Sequence, residues 1–199
     1  MIQSHLHPPI DAVVVTYNSR AVIDACLKSL RAAPNVRAIV MDSLSSDGTA
    51  DHIRRGHGSV EVAVMPSNRG FGAGCNAGIT VGEAPYVLLL NPDAMLEPEA
   101  LAKLSEFMEH NTKVDAVGPS ILNAEGGRET AVQALPSLAG EFARTCERLA
   151  RPLGLLRDDE EQVSAEGPRW ISGAGMLLRR SALKHIGLID IGRFFLTGT

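Results

Sequence analysis

The sequence has few cysteines and no long apolar run, and each absence excludes a class of protein. Its three cysteines, Cys26, Cys75 and Cys146, lie far apart, so neither a disulfide framework nor a zinc-binding spacing is present. We expect buried, reduced thiols at these positions. No segment approaches the roughly 20 apolar residues of a membrane-spanning helix, and residues 1–9 lack the apolar region of a signal peptide. A cytoplasmic location is therefore predicted, with the inner face of the membrane as the alternative.

The chain also lacks any long basic or acidic block. Its 19 basic and 23 acidic residues give a net charge of −4, without the basic stretch that is typical of nucleic-acid binding. No nucleic-acid partner is therefore expected. With 45% hydrophobic residues, a chain of 199 residues has the core of one α/β domain, or of one domain with part of a second.

Three apolar segments that run straight into polar residues are the most informative feature of the chain. They end at Thr16-Tyr17-Asn18, at Asp42 and at Asn91-Pro92-Asp93. Near-continuous apolar runs are typical of strands that are covered on both faces, as in a parallel sheet. Because parallel strands end at one edge, their polar termini gather in the crevice where open α/β sheets bind ligands. The sequence predicts that these groups meet there.

The order of elements predicts the fold class. Strands and helices alternate up to Gly118, which indicates a doubly wound, mostly parallel sheet with right-handed crossovers and helices on both faces. We expect Ser19, Asp47 and Ser181 to cap the helices that follow them. Beyond Gly118 the expected elements are an antiparallel edge strand at 128–133, an amphipathic helix at 138–153, a strand at 170–178 and a short helix ending at Gly187. Mixed charge on the 138–153 helix favours a solvated face over peripheral contact with a membrane.

The polar termini suggest how a ligand would be held. A carboxylate at the inner edge of a sheet needs a hydrogen-bond donor, and a base imide or a ribose hydroxyl would serve Asp42. Pro92 restricts its own φ and the conformation of Asn91, so the polar groups beside it are held stiffly. Mg²⁺ or Mn²⁺ takes one or two carboxylates with phosphate oxygens, which makes Asp93 a candidate metal ligand. The alternative is an ordinary strand-to-turn transition.

A glycine-rich segment from Asn68 to Gly78 allows the backbone to approach a ligand ahead of a helix. It resembles a dinucleotide-binding loop only weakly, because Cys75 stands where the third glycine belongs. A dinucleotide-dependent oxidoreductase therefore remains a less favoured hypothesis. Gly70, with Asn68 and Asn76 beside the glycines, fits a polar lining better.

Five segments in order resemble the family 2 inverting glycosyltransferases, and most of all their rhamnosyltransferase-like branch. They are Val13–Ser19, Asp42–Thr49, Asn68–Ile79, Leu89–Ala94 and Ile171–Leu183. The resemblance implies one GT-A domain, with a nucleotide-sugar-binding α/β half at 1–118 and an incomplete, partly antiparallel acceptor half at 119–199.

The resemblance also implies roles for individual residues. Thr16, Tyr17 and Asn18 would line the base and ribose pocket, and Asp42 would bond the base. Asp93 would be the second acid of the DxD metal motif, with Asn91 in its first position, and would bind Mg²⁺ or Mn²⁺ on the diphosphate. Gly173, Ala174 and Gly175 would approach the sugar or the acceptor.

The chain departs from the family pattern in four places, one of which is Ile191-Gly192 in place of the usual acidic residue after Asp190. Ser43 replaces the usual Asn, and Leu44 is bulkier than is common there. The family's acidic pair after Phe194-Phe195, which carries the general base, is absent, since Leu196-Thr197-Gly198-Thr199 follows. The catalytic base is therefore unassigned. Two interpretations stay open, a truncated chain and a degenerate protein.

The function we predict is a metal-dependent, inverting glycosyltransferase. It would move a sugar, rhamnose by resemblance, from a nucleoside-diphosphate donor to a cell-envelope glycan or a lipid-linked acceptor. The alternative is a nucleotide-sugar-binding remnant without turnover. The oligomeric state is not predicted.

Overall fold

The structure is a computed structural model that describes residues 8–97, 99–122, 128–129, 132–134, 169–171 and 174–191. Its strands are β1 Ile10–Thr16, β2 Val36–Asp42, β3 Glu61–Val64, β4 Tyr86–Leu90, β5 Ala116–Val117, β6 Ile121–Leu122, β7 Arg128–Glu129, β8 Val132–Ala134, β9 Arg169–Ile171 and β10 Gly175–Arg179. Its helices are α1 Ile23–Ala32, α2 Thr49–Gly56, α3 Phe71–Val81, α4 Ala100–His110 and α5 Arg180–Ile186.

The central sheet has six strands in the order β3-β2-β1-β4-β10-β5 among the residues described. The first four strands are mutually parallel, and β10 runs antiparallel between β4 and β5. The prediction of an α/β, doubly wound and mostly parallel sheet with a small antiparallel portion is thus confirmed. Two short antiparallel pairs, β6–β7 and β8–β9, lie outside this sheet.

Helices cover both faces of the sheet, as the apolar runs predict. On one face Val14, Leu88 and Leu90 pack with buried residues of α1, α2 and α4. On the other face Val13, Val15 and their neighbours pack with Cys75 and Ile79 of α3 and with Leu183 of α5. Every residue of β1 and β4 is consequently buried. Cys26 and Cys75 are buried free thiols, as expected, whereas Cys146 lies outside the described residues.

A buried ion pair fixes the antiparallel strand β10 and the helix α5 that follows it. Asp11, in β1, is 1% exposed, and its Oδ2 atom lies 2.8 Å from Nη2 of Arg180. The same oxygen accepts the backbone N–H of Ala84 at 2.7 Å, and Nη1 of Arg180 donates to the carbonyl of Ile79 at 2.7 Å. Three separate parts of the chain are therefore joined at the edge of the sheet where β1 begins.

Several predicted boundaries differ from the structure. Ser19 is not the N-cap of α1, because the helix begins at Ile23 and only the backbone carbonyl of Ser19 accepts the N–H groups of Val22 and Ile23. Ser181 is not a cap either, since it lies inside α5. The expected strand at 128–133 is divided between β7 and β8, and the one at 170–178 between β9 and β10. The predicted helix at 138–153 lies outside the described residues.

The chain divides into two compact units, residues Met1–Ala131 with Ser172–Thr199, and Val132–Ile171. The predicted division at residue 118 stays a prediction, and β10 from the second predicted half belongs to the central sheet. Among the residues described, no helix has the length and apolar character needed to cross a membrane.

Two glycines of α3 allow the helix to approach β1 closely. A Cβ atom at Gly74 would lie 2.6 Å from Cγ1 of Val15, and one at Gly78 would collide with Cγ1 of Val13. These valines are buried in a central strand and have no room to move. Gly74 and Gly78 thus serve helix–sheet packing, where the sequence predicted an approach to a ligand.

We expect Gly78→Ala to lower the free energy of unfolding by about 1–3 kcal/mol, the usual cost of overpacking. The control is Gly56→Ala at the exposed end of α2, where an added Cβ meets nothing within 4 Å. That change should be neutral or slightly stabilising, because alanine favours the helix. Urea unfolding measures both, and equal stability of the two variants would contradict the packing role.

A shared carboxylate joins α1 to α2. Oδ1 of Asp24 lies 2.8 Å from Nε2 of His57 and 2.8 Å from Nε2 of His52. These hydrogen bonds, that of His57 first, hold the pKa of Asp24 below its ordinary value of 3.8. Because folding lowers this pKa, the ionised carboxylate stabilises the fold above pH 3.8, and that contribution is lost as the pH falls through the lowered value.

Asp24→Asn should therefore reduce the melting temperature at neutral pH, and the difference from the wild type should vanish in strong acid. The side chain of Asp24 is 44% exposed, so the effect should stay below about 1 kcal/mol. Asp51→Asn, at an exposed carboxylate in α2, is the control. A deficit of Asp24→Asn that persists unchanged at pH 2 would show that the lowered pKa is not its cause.

Candidate functional site

The carboxyl ends of β1, β2 and β4 lie together at one edge of the sheet. Thr16 and Asp42, the last residues of β1 and β2, are paired in register, and Val14 is paired with Leu90, the last residue of β4. Since β2 and β4 flank β1, their axes are about 10 Å apart. Asp42 and the Asn91-Pro92-Asp93 segment thus reach the same edge.

Asp42 is bonded within the protein. Its side chain is buried and accepts three hydrogen bonds, from Oγ1 of Thr16 at 2.7 Å, from the backbone N–H of Ser45 at 2.9 Å and from Oγ of Ser45 at 2.6 Å. The argument that Asp42 needs a donor from a ligand is therefore wrong, because Thr16 and Ser45 supply the donors. Its predicted contact with a base stays a prediction.

Two loops at this edge are tied to each other, the segments 16–20 and 43–49, which we call the paired loops. Oδ1 of Asn18 accepts the backbone N–H of Ser46 at 2.9 Å, and the N–H of Asn18 donates to Oγ of Ser45 at 2.9 Å. Asp47 accepts the N–H of Arg20 at 3.0 Å. Asn18 adopts a positive φ of 50°. Thr16 and Asn18 thus build the loops, whereas Tyr17 between them has 57% of its surface exposed.

Asp47 is not the N-cap of α2, because that position is held by Gly48, but its side chain bonds the first residue of the helix. Its Oδ1 atom accepts the backbone N–H of Thr49, the first residue of the helix, at 2.9 Å and the hydroxyl of the same residue at 2.5 Å. The bond from this hydroxyl is the main cause that holds the pKa of Asp47 below its usual range. A fixed negative charge therefore belongs to the scaffold of the paired loops.

The segment Asn91-Pro92-Asp93 forms a tight turn in which the N–H of Ala94 donates to the carbonyl of Asn91 at 3.2 Å. Pro92 occupies the second position of the turn, where its fixed φ is favourable. Sγ of Cys26 approaches the same carbonyl at 3.6 Å. Burial and, secondly, the negative charge of Asp93 raise the pKa of Cys26 to about 12. The side chain of Asp93 is exposed at this edge.

Strand β10 brings the predicted acceptor-side residues to the same turn. Gly175 is paired with Leu90, and the carbonyl of Ala174 accepts the N–H of Asn91 at 3.2 Å. A Cβ at Gly175 would lie 3.2 Å from Cγ of Pro119, so this glycine permits close packing. Gly173 lies outside the described residues.

The predicted polar lining of the glycine-rich segment has structural partners. Oδ1 of Asn68 accepts the N–H of Gly70 at 2.9 Å, and Gly70 has a φ of +84°. Both groups of the Asn76 amide bond the backbone of Ile189, at 2.8 and 2.9 Å. Asn76 therefore ties α3 to the segment after α5. The roles of these three residues in ligand binding stay predictions.

Ser45 is the residue of this edge that sequence analysis missed. Its hydroxyl donates to Asp42 and accepts from Asn18, so it joins the two halves of the paired loops. A serine-rich loop shows that hydroxyl groups are available, but the sequence does not show which of them reaches which carboxylate.

No group of three or more His, Cys, Asp or Glu side chains that could hold a metal is present in the described segments. Asp93 alone presents an exposed carboxylate on the turn after β4. This donor set fits a cation that obtains its other ligands from a phosphate-bearing ligand, as Mg²⁺ commonly does.

Known proteins of similar sequence carry out sugar transfer. N-acetylglucosaminyl-diphospho-decaprenol L-rhamnosyltransferase of Mycobacterium tuberculosis is 27% identical over 204 residues, which is 94% of this chain and 66% of that protein. Poly-beta-1,6-N-acetyl-D-glucosamine synthase of Staphylococcus epidermidis is also 27% identical, over 91% of this chain and 42% of that protein. The chain thus spans less than two thirds of these curated relatives.

Solved structures share the fold. The mannosyltransferase PcManGT from Pyrobaculum calidifontis, in complex with GDP-Man and Mn²⁺, has a TM-score of 0.63 at 18% identity over 93% of this chain and 48% of its own. S. aureus TarS 1-349 has a TM-score of 0.65 at 18% identity over 94% of this chain and 52% of its own. These neighbours identify the GT-A fold. Residues 11–187 match the family model described as glycosyl transferase family 2, and the chain belongs to that family.

Proposed function

We propose that this chain binds a nucleoside-diphosphate sugar at the carboxyl edge of its sheet and takes part in transfer of the sugar with inversion. The observation that carries the proposal is the meeting of the paired loops with the Asn91–Asp93 turn at one edge, where Tyr17 and Asp93 are exposed. An aromatic ring is suited to the base of such a donor, and a carboxylate is suited to a divalent cation on its diphosphate. The family match supports the reaction class.

Some residues of the predicted base and ribose pocket would contact the ligand, and others would hold the loops in position. Tyr17 offers an exposed ring on which a base can stack. Thr16 and Asn18 act through the scaffold, because their side chains bond Asp42 and Ser46. Asp42 accepts one bond on Oδ2 and two on Oδ1, so Oδ2 retains capacity for a base N–H or a ribose hydroxyl.

Asp93 would hold Mg²⁺ or Mn²⁺ together with the diphosphate of the donor, with Asn91 beside it. When bound, the cation supplies charge neutralisation to the departing nucleoside diphosphate. The turn around Pro92 fixes the backbone that carries Asp93. The mannosyltransferase PcManGT, which shares the fold and was solved with GDP-Man and Mn²⁺, supports this assignment.

Inversion is a single displacement. The oxygen of an acceptor hydroxyl forms a bond to the anomeric carbon as the bond from that carbon to the diphosphate oxygen breaks, and the hydroxyl proton leaves to a base. No described residue is assigned as that base. We propose that residues 1–118 bind the donor and that residues 119–199 face the acceptor, with Gly173, Ala174 and Gly175 nearest to the sugar.

We further propose rhamnose as the transferred sugar and a lipid-linked glycan at the inner face of the membrane as the acceptor. The support is the name of one relative, a rhamnosyltransferase that acts on N-acetylglucosaminyl-diphospho-decaprenol. A donor-binding protein without turnover is the second candidate, because no described residue is assigned as the base. Release of the free nucleoside diphosphate upon addition of donor and acceptor separates the two candidates.

Asp93→Ala should weaken the Mn²⁺-dependent binding of a nucleoside diphosphate at least tenfold, because the cation loses its protein carboxylate. Its melting temperature should stay within about 1 °C, since surface substitutions rarely change stability by more than ~0.5 kcal/mol. Titration calorimetry with UDP, dTDP and GDP, with and without Mn²⁺, measures the affinity.

Glu106→Ala removes an exposed carboxylate on α4 and is the matched control for charge. It should leave the affinity unchanged. Equal affinity of Asp93→Ala and the wild type for every nucleotide would overturn the metal assignment, and a wild type that binds none of them would overturn the proposed function.

A further inference from the structure

Ser43 and Leu44, which directly follow Asp42, carry two features that packing does not explain. The Ser43 hydroxyl is 2% exposed and is the one buried side-chain oxygen or nitrogen without a hydrogen-bond partner in the described part of the chain. Leu44 has a φ of +63° and is 54% exposed. An unpaired buried hydroxyl and a left-handed leucine are each unfavourable, and here they are neighbours at the candidate site.

The backbone N–H of Ser43 has a hydrogen-bond partner, whereas its side-chain hydroxyl has none. The N–H of Ser43 donates to the carbonyl of Thr16 at 2.8 Å, which extends the pairing of β1 with β2 by one residue. Successive residues of a strand point to opposite faces. Asp42 bonds Thr16 on one face, so the Ser43 side chain belongs to the other face, with Met41 and α3. A buried hydroxyl without a partner costs stability unless a ligand pairs with it.

The conformation of Leu44 follows from the Asp42 network. The chain must turn sharply at residue 44 so that the N–H of Ser45 can return to Oδ2 of Asp42 at 2.9 Å. Glycine and asparagine adopt a positive φ readily, whereas leucine does so with strain. More than half of the leucine is exposed, so packing does not explain its presence. Strain of this kind is concentrated at ligand sites.

Leu44 and Tyr17 lie between the same two hydrogen bonds that join the paired loops. The bond from Ser43 N–H to the Thr16 carbonyl precedes them, and the bond from Asn18 N–H to Ser45 Oγ follows them. Both side chains are more than half exposed. Between these two bonds the loops therefore present one exposed aromatic and one exposed aliphatic side chain, and Ser43 directly precedes Leu44 in the chain.

We propose that Ser43 and Leu44 recognise the nucleobase of the donor, an inference that rests on the proposed function. The Ser43 hydroxyl bonds a polar edge of the base. Leu44 forms an apolar wall against the ring of the base, and Tyr17 packs on the same ring. A hydroxyl both donates and accepts, so it suits an imide N–H or a carbonyl oxygen. The selectivity of this chain among bases then depends on Ser43 and Leu44.

The first test is Ser43→Ala, assayed by calorimetry with UDP, dTDP, GDP and ADP in the presence of Mn²⁺. Affinity for the nucleotide that the wild type prefers should fall about tenfold, the effect of one lost hydrogen bond, and discrimination among the bases should shrink. Pyrophosphate with Mn²⁺, which has no base, should bind as before. The melting temperature of the free protein should stay the same or rise, because an unpaired buried hydroxyl is removed.

The control for this change is Ser105→Ala in α4. The Ser105 hydroxyl is also buried but donates to the carbonyl of Leu101 at 2.8 Å, so its removal should leave every nucleotide affinity unchanged. A Ser43→Ala variant that binds all nucleotides as the wild type does, or that loses pyrophosphate equally, overturns the inference.

The second test is Leu44→Asn, which keeps a residue that tolerates positive φ but removes the apolar wall. Nucleotide affinity should fall about tenfold, because the base no longer buries the leucine side chain. Pyrophosphate affinity should hold, and the melting temperature should not fall. Val81→Asn, at an exposed valine at the end of α3, is the control. Unchanged nucleotide affinity of Leu44→Asn would overturn the role of Leu44 while the wild-type binding still supports the proposed function. A wild type that binds no nucleotide overturns both proposals.

Discussion

The carboxylate of Asp42 is the group on which the candidate site depends. It lies at the end of β2 and receives its donors from the end of β1 and from the loop after β2. A buried carboxylate with one donor missing would be unstable, since its desolvation is offset only by the full set of hydrogen bonds. The paired loops therefore form as a unit, and the exposure of Tyr17 and the turn at Leu44 are consequences of this network.

The buried carboxylate of Asp11 joins separate segments in the same way at the opposite edge of the sheet. Asp11 binds Arg180 and the N–H of Ala84, and so fixes where β10 ends and α5 begins. Because β10 is paired with β4 along its whole length, this constraint also sets the position of Ala174 beside Asn91. The turn that carries Asp93 is thus supported from both sides, by α1 through Cys26 and by β10 through Ala174.

The sequence predicted which residues reach the carboxyl edge of the sheet better than it predicted the hydrogen bonds they make there. The apolar runs of β1, β2 and β4 allowed the ends of these strands to be located, because a strand that is buried on both faces is a continuous apolar run in the sequence. The antiparallel insertion of β10 left no such signal, since an apolar strand does not encode its partner. Asp42 was correctly placed but its donors were not, because Ser45 reaches it only through a left-handed residue at Leu44. The glycines of α3 suit either a ligand or a neighbouring strand, and only the position of Val13 and Val15 decides between them.

The charge of the site bears on how it can bind a diphosphate at all. Asp93 is exposed on its turn, so a diphosphate that approaches this turn meets like charge, whereas in the paired loops the charge of Asp47 is accompanied by that of Arg20, whose Nη1 donates to the Asp47 carbonyl. Two like charges 5 Å apart repel by about 0.8 kcal/mol in water and by ~3 kcal/mol at an effective dielectric of 20. With Asn91 in the first position of the motif, the turn carries one carboxylate, that of Asp93, and a cation such as Mg²⁺ takes further ligands from phosphate oxygens. On the proposed function, the cation and the diphosphate therefore bind together, since among the described residues the turn offers the cation one exposed carboxylate, that of Asp93.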